Sequence, residues 1–262
     1  EYLLITWEPS YPNILRQIVE AAIQECKVII TTQNETSVSN YLSSNGVDLT
    51  NVTFMDEPFN SIWIRDYAGN TIYSDDVGER ALVDWIYNRP RPLDDVMPEA
   101  HAALVGIPYY GTTSGTNDLV NTGGNFMSDG LGNAFASSLI LNENEAGNPY
   151  GVSTKTEEEI DAIMNLYMGI ESYIKMDAPP STTGSYPDTG GYYRTYTNAV
   201  FINKTVLVPT YRPEVDVPAL AQWQEMLPGY NIVGIDVDNS GENLIASLGA
   251  IHCITHSIGV DE

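Results

Sequence analysis

Near the C-terminus a cysteine stands between two histidines. The run Ile251-His252-Cys253-Ile254-Thr255-His256 holds two of the chain's three histidines within three residues of Cys253. A free thiol is only a few per cent thiolate at neutral pH, so a nucleophilic cysteine requires a base or a positive field beside it. The sequence offers that neighbourhood, although a lone cysteine is more often a small buried hydrophobe. Cys26, at the end of an apolar-periodic segment, has no such neighbours and is expected in the core.

A second candidate is Asp66 in Ser61-Ile62-Trp63-Ile64-Arg65-Asp66-Tyr67, predicted as a strand with Trp63, Arg65 and Tyr67 on one face and Ile62, Ile64 and Asp66 on the other. Either Arg65 and Asp66 form an exposed pair on an edge strand, or Asp66 sits among apolar neighbours and needs a cationic partner, because an unpaired buried carboxylate is costly. A guanidinium is the best bidentate partner for a carboxylate. In Tyr87-Asn88-Arg89-Pro90-Arg91-Pro92 the prolines on both sides of Arg91 hold the backbone and pre-aim two arginines, a fork suited to a carboxylate ligand. Asp236-Val237-Asp238-Asn239-Ser240-Gly241 approximates half of a calcium loop, yet Ser247 stands where a bidentate Glu is needed, and no calcium site is expected.

The elements that must position these residues alternate. Strands are predicted over 2–7, 27–32 and 52–55, with amphipathic helices over 12–25 and 38–42 between them. A sheet-rich block follows, with strands over 61–67, 70–73 and 81–87, then a helix end and strand over 101–110 and a Gly/Asn-rich passage over 121–130. A helix over 155–168 has Thr156 as N-cap and three glutamates in its first turn. Residues 179–191 read as a loop, followed by a hairpin turning at Asn203-Lys204, a helix over 217–226, a strand over 231–237 and a short helix over 243–248. Strand–helix–strand units recur, which predicts an α/β fold.

The chain has 262 residues, long enough for a sizeable core. Its 35 acidic against 11 basic residues give a net charge of −24. Such a surface repels phosphate backbones and anionic membranes, so neither nucleic acid nor membrane is an expected partner, and a cationic ligand is favoured. Two cysteines cannot build a disulfide framework or a zinc site by themselves. The first residues open directly into a strand and lack the basic start of a signal peptide.

Taken together and in order, five segments resemble the bacterial peptidylarginine deiminases and agmatine deiminases, guanidine-modifying enzymes of the α/β-propeller (pentein) fold. They are Ser61 to Tyr67, Tyr87 to Pro92, Thr122-Gly123-Gly124-Asn125-Phe126-Met127-Ser128-Asp129-Gly130, Tyr196-Thr197-Asn198 and Ile251-His252-Cys253. The resemblance implies a single propeller domain over 1–262 that deiminates arginine to citrulline through a cysteine thiouronium intermediate, without a cofactor or metal. It implies catalytic roles for Cys253, Asp66 and Asn198 and places Trp63, Arg89, Arg91, Gly124 and Asn125 about the substrate, an arginine-containing peptide or small guanidinium compound. The expected setting is extracellular, with any leader absent from this sequence.

One departure stands out. The family carries a His-x-Asp strand between the Gly-Gly-Asn passage and the Tyr-Thr-Asn strand, and the interval from Tyr173 to Tyr196 holds no histidine. A propeller one blade short is therefore expected, with an internal junction near 175–181. The alternatives are a doubly wound parallel sheet for the fold and, for function, a non-catalytic extracellular module that binds guanidinium groups.

Overall fold

The structure is a computed structural model that describes residues 1–74, 78–176, 194–239, 241–247 and 249–259. They fall into two compact units, one of Glu1–Ile64 with Gly190–Val260 and the other centred on Arg65–Thr189.

The first unit begins β1 (Tyr2–Thr6), α1 (Pro12–Ala22), β2 (Lys27–Thr31), α2 (Glu35–Ser44) and β3 (Val52–Met55), all joined as parallel neighbours in the order β1-β2-β3. Its central strands read Leu-Leu-Ile and Val-Ile-Ile because strands covered on both faces lose the alternation of a half-exposed sheet. Helix α1 starts on Pro12, where the missing N–H costs nothing, and buries Ile14, Leu15, Ile18, Val19 and Ala22 along one stripe.

The second unit runs α3 (Ile64–Tyr67), β4 (Asn70–Tyr73), β5 (Arg80–Tyr87), α4 (Pro92–Asp95), α5 (Met97–Val105), β6 (Tyr109–Thr112), β7 (Val120–Asn121), β8 (Met127–Ser128), β9 (Asn133–Ser137), α6 (Leu139–Asn144), α7 (Glu157–Met168) and β10 (Ser172–Met176). Its two sheets repeat one plan. An antiparallel pair (β4 with β5, β8 with β9) is followed by helices and a parallel partner (β6 on β5, β10 on β9). Strand β7 adds to β5 in parallel, pairing Tyr87 with Asn121. The core of this unit gathers Trp85, Leu119, Ala134, Ile140, Ile160, Ile163 and Met164.

The chain then returns to the first unit with β11 (Val200–Ile202), β12 (Thr205–Thr210), α8 (Pro213–Met226), β13 (Asn231–Asp236), the small hairpin β14 (Asp238–Asn239) and β15 (Glu242–Asn243), and β16 (His256–Ile258). The same plan recurs in β11-β12-β13. Strand β16 pairs antiparallel with β1, Tyr2 opposite Ile258, so the C-terminus supplies the antiparallel strand that the first sheet lacks. Four sheets of three or more strands are thus present among the described residues. Separate small sheets with antiparallel edges exclude a single doubly wound parallel sheet. No helix among the described residues is long and apolar enough to cross a membrane.

Several expectations need correction. The strand predicted over 61–67 does not form: residues 64–67 make the short helix α3, with Ile64 and Tyr67 buried three residues apart, and 61–63 are irregular. A short apolar run does not distinguish the two periods. Helices α4 and α5 begin on Pro92 and Met97-Pro98, prolines that read as breakers but occupy first-turn positions. Helix α8 begins four residues earlier than expected, again on a proline. The expected junction falls largely on residues 177–181, which lie outside the described residues, as does Ser240 of the calcium-like run. Around that run Asp238 pairs with Arg194 (Nη2 to Oδ2, 2.6 Å), and the Glu242 carboxylate accepts the N–H groups of Asn13 and Ile14 at 2.8 Å, capping α1 from far along the chain.

Candidate active site

In the first unit Cys253 lies in a 3₁₀ turn, His252–Ile254, that follows the fully buried Ala250 and Ile251 and ends on the equally buried Ile254. The turn is seated by its apolar neighbours and leaves Cys253 half-buried. Asn198, two residues ahead of β11, donates from Nδ2 to the Cys253 Sγ at 3.2 Å. Its Oδ1 accepts the His252 N–H at 2.9 Å. An N–H can only be met by the amide oxygen, so the second contact settles which end of the amide faces sulfur. A donor aimed at sulfur stabilises a thiolate.

Trp63 completes this group. A Cβ on Gly249 would lie 2.3 Å from the Trp63 Cζ3 atom and 3.2 Å from the Cys253 Cβ. The indole therefore packs on bare backbone beside the cysteine, an approach only glycine permits. Gly249 did not emerge as a site residue from the sequence, where it read only as the residue after a short helix.

The remaining thiol and the histidines contrast with Cys253. Burial, reinforced by the negative charges of Glu1 and Glu25, pushes the Cys26 thiol up to about 11, in keeping with its place against the first unit's core. His256 is buried in β16, and its Nδ1 accepts the N–H of Ser257 at 2.8 Å.

In the second unit Asp66 is half-buried in α3. Burial raises its carboxyl above the ordinary carboxylate range, while the Thr122 hydroxyl, the Arg89 charge, the Gly124 amide and the Arg91 charge draw it back down. Thr122-Gly123-Gly124-Asn125 wraps closely about it. A Cβ at Gly123 would fall 2.0 Å from the Arg65 carbonyl oxygen, and one at Gly124 would fall 2.5 Å from Asp66 Oδ1. Asn125 faces elsewhere: its Oδ1 accepts the Ser137 N–H at 3.0 Å and the Ser137 hydroxyl at 2.7 Å, tying the turn to β9.

The arginine fork leaves the end of β5. The Asp95 carboxylate accepts the Tyr87 N–H at 2.6 Å, and Asn88 donates to Glu143 Oε1 at 2.7 Å, so the loop is anchored at both of its first residues. Arg91 Nη1 donates to the Tyr87 hydroxyl at 3.1 Å. Arg89 is exposed, and its charge reaches both Asp66 and Glu143. Sequence reasoning named the arginines but missed Tyr87 and Glu143, whose relevance depends on contacts between distant segments.

Each unit thus gathers its own share of the expected residues: Cys253, Asn198 and Trp63 in one, and Asp66, Gly124, Arg89 and Arg91 in the other. Comparison with known proteins gives these groups a context. A protein of Lactococcus lactis named for agmatine deimination is 23% identical over 280 aligned positions, covering 75% of this chain and 74% of that protein. Among solved structures, a Porphyromonas gingivalis protein named for arginine deimination superposes with a TM-score of 0.77 at 18% identity, covering 98% of this chain and 94% of that one. A cysteine-to-serine variant of the Campylobacter jejuni agmatine deiminase, solved with substrate bound, gives 0.73 at 17% identity, covering 98% and 92%. These likenesses establish the α/β-propeller fold that the sequence resemblance implied. The sequence profile of the Porphyromonas-type peptidyl-arginine deiminases matches residues 4–185 and again 172–258. With nearly its whole length matched by that profile, the chain belongs to the Porphyromonas-type peptidyl-arginine deiminase family.

Proposed function

We propose that the protein hydrolyses the guanidinium group of arginine, preferentially at a peptide C-terminus, to a ureido group and ammonia. The observation that carries this reading is the Asn198 amide held against the Cys253 sulfur within a family of deiminases. The Cys253 thiolate forms a bond to the guanidinium carbon, and the tetrahedral adduct expels one nitrogen as ammonia. The resulting thiouronium is then attacked by water, the carbon–sulfur bond breaks, and the ureido product leaves with the thiolate restored. The family resemblance assigns to Asp66 the holding of guanidinium nitrogens by charge-assisted hydrogen bonds. The relative solved as a cysteine-to-serine variant with substrate bound supports a cysteine at the centre of the chemistry. The preference for a free C-terminus follows from Arg89 and Arg91, because agmatine has no carboxylate to engage them.

The test is incubation with an arginine-terminated peptide and with agmatine, reading citrulline or carbamoyl product and ammonia by mass spectrometry. Product from the wild type and none from Cys253→Ala is the expected result. Equal product from both would remove the nucleophile assignment.

A second reading is a binding module that has kept the acidic clamp and lost turnover. The sequence between Tyr173 and Tyr196 holds no histidine to carry protons, and without a general acid and base the reaction loses about a hundredfold or more. The two profile matches overlap at 172–185, and the alignment with the Lactococcus lactis protein is longer than this chain although only three quarters of the chain takes part. The long alignment supports a module missing from this chain, and the overlap of the two matches supports placing it near 172–185. This reading expects saturable binding of arginine peptides, weakened by Asp66→Asn and untouched by Cys253→Ala, with no product formed.

A further inference from the structure

We infer that Tyr87 is a positioning residue for substrate selection, its phenol oxygen holding the Arg91 guanidinium in the orientation that receives a substrate carboxylate. The inference rests on the proposed function and deepens it. Arg91 can only donate, so at 3.1 Å the Tyr87 oxygen must be the acceptor, and the phenol's one proton remains for another partner. That partner is Asp66, whose Oδ2 lies 3.5 Å away. One side chain therefore touches both the fork and the clamp.

The two contacts are unequal. An N–H donor carrying positive charge at 3.1 Å is a good hydrogen bond, whereas 3.5 Å is long for O–H···O. Removing the hydroxyl should fall mainly on Arg91 and only weakly on Asp66. Burial, with the negative charge of Asp66, pushes the phenol up to about 12, so the hydroxyl keeps its proton into the alkaline range. Its place is determined by backbone on three counts. Tyr87 ends β5, its N–H is held by Asp95, and it pairs with Asn121 of β7, the strand that leads into the glycine turn around Asp66. The ring is also packed against Tyr67, centroids 5.9 Å apart. Loss of the hydroxyl alone leaves that packing intact.

The experiment is calorimetry at low salt with three probes: a dipeptide ending in free arginine, the same dipeptide amidated, and agmatine. The wild type should prefer the free carboxylate. Tyr87→Phe should reduce that preference by about fivefold or more, the scale of one charge-assisted hydrogen bond, while amidated peptide and agmatine stay within about twofold. On an Arg91→Ala background, Tyr87→Phe should change the preference no further. Melting temperatures identify a variant that has failed to fold, for which Tyr87→Met, which also lacks a hydroxyl, replaces it. If the wild type binds but Tyr87→Phe leaves the preference intact, weakens all three probes alike, or adds fully to Arg91→Ala, the inference is overturned and the reading of the site survives. A wild type without carboxylate preference also overturns it. A wild type that binds none of the probes overturns the functional reading itself.

Discussion

Gly124 approaches Asp66 so closely that a side chain there would put its Cβ 2.5 Å from the carboxylate oxygen Oδ1. The neighbouring Gly123 approaches the Arg65 carbonyl oxygen more closely still, at 2.0 Å. The first contact is with a side chain that can turn away, the second with backbone that cannot. Gly124→Ala is therefore expected to weaken agmatine binding by about tenfold or more, through a displaced clamp, with little change in melting temperature. Gly123→Ala is expected to destabilise the fold by about 1–3 kcal/mol, the usual range for forced overpacking. Calorimetry and thermal melts on the pair measure both, and a Gly124→Ala protein that binds as the wild type does would contradict the clamp role proposed for Asp66.

The two cysteines should separate in an alkylation experiment. Cys26 is buried with its thiol pushed up to about 11, so it is protonated at neutral pH. Cys253 is half-buried and receives the Asn198 donor. Iodoacetamide at neutral pH should label Cys253 first, and Asn198→Ala should slow that labelling several-fold while leaving Cys26 unchanged. Peptide mass spectrometry over a time course reads both sites. Faster labelling of Cys26 would contradict the assignment.

A third expectation concerns stability and pH. Asp84 is buried in β5, accepts the Tyr109 hydroxyl at 2.9 Å and feels the negative charge of Asp95. Burial holds its carboxyl well above the ordinary carboxylate value. The folded chain then binds this proton more tightly than the unfolded chain does, so stability falls as pH rises from the unfolded value toward the folded one. Asp84→Asn removes this dependence. It should raise the melting temperature at alkaline pH by roughly 2–4 °C, the equivalent of about 1 kcal/mol for a chain of this size, with the gain shrinking as pH falls. A variant whose difference from wild type is constant with pH would contradict the assignment.

Helix α7 opens with a capping box: the Thr156 hydroxyl accepts the Glu159 N–H at 3.3 Å, and the Glu159 carboxylate accepts the Thr156 N–H at 2.8 Å. Thr156→Ala should cost about 1 kcal/mol, measured by urea denaturation. Thr156→Ser should recover most of it.

What the sequence determined by itself is local. Thr156 and its glutamates announced α7, the Asn203-Lys204 turn announced the β11–β12 hairpin, with Asn203 at φ +50°, and the spacing of Ile14, Leu15, Ile18 and Val19 announced α1. Each signal lies within a few residues of the structure it specifies, where propensity and periodicity act. The resemblance carried by five short segments pointed to Cys253, Asn198 and Asp66, of which the structure brings Asn198 against Cys253. Tertiary structure decided the rest. Whether Ser61 to Tyr67 formed strand or helix depended on the burial of Ile64 and Tyr67, which seven residues do not encode. The closing of β1 by β16 joins residues 256 apart, Tyr2 and Ile258. The roles of Gly249, Gly123 and Gly124 follow from Trp63, Arg65 and Asp66 lying against them, and that of Tyr87 from the meeting of Arg91 and Asp66 at one hydroxyl. Such contacts are made by groups brought together only when separate elements pack, and no window of sequence contains both partners.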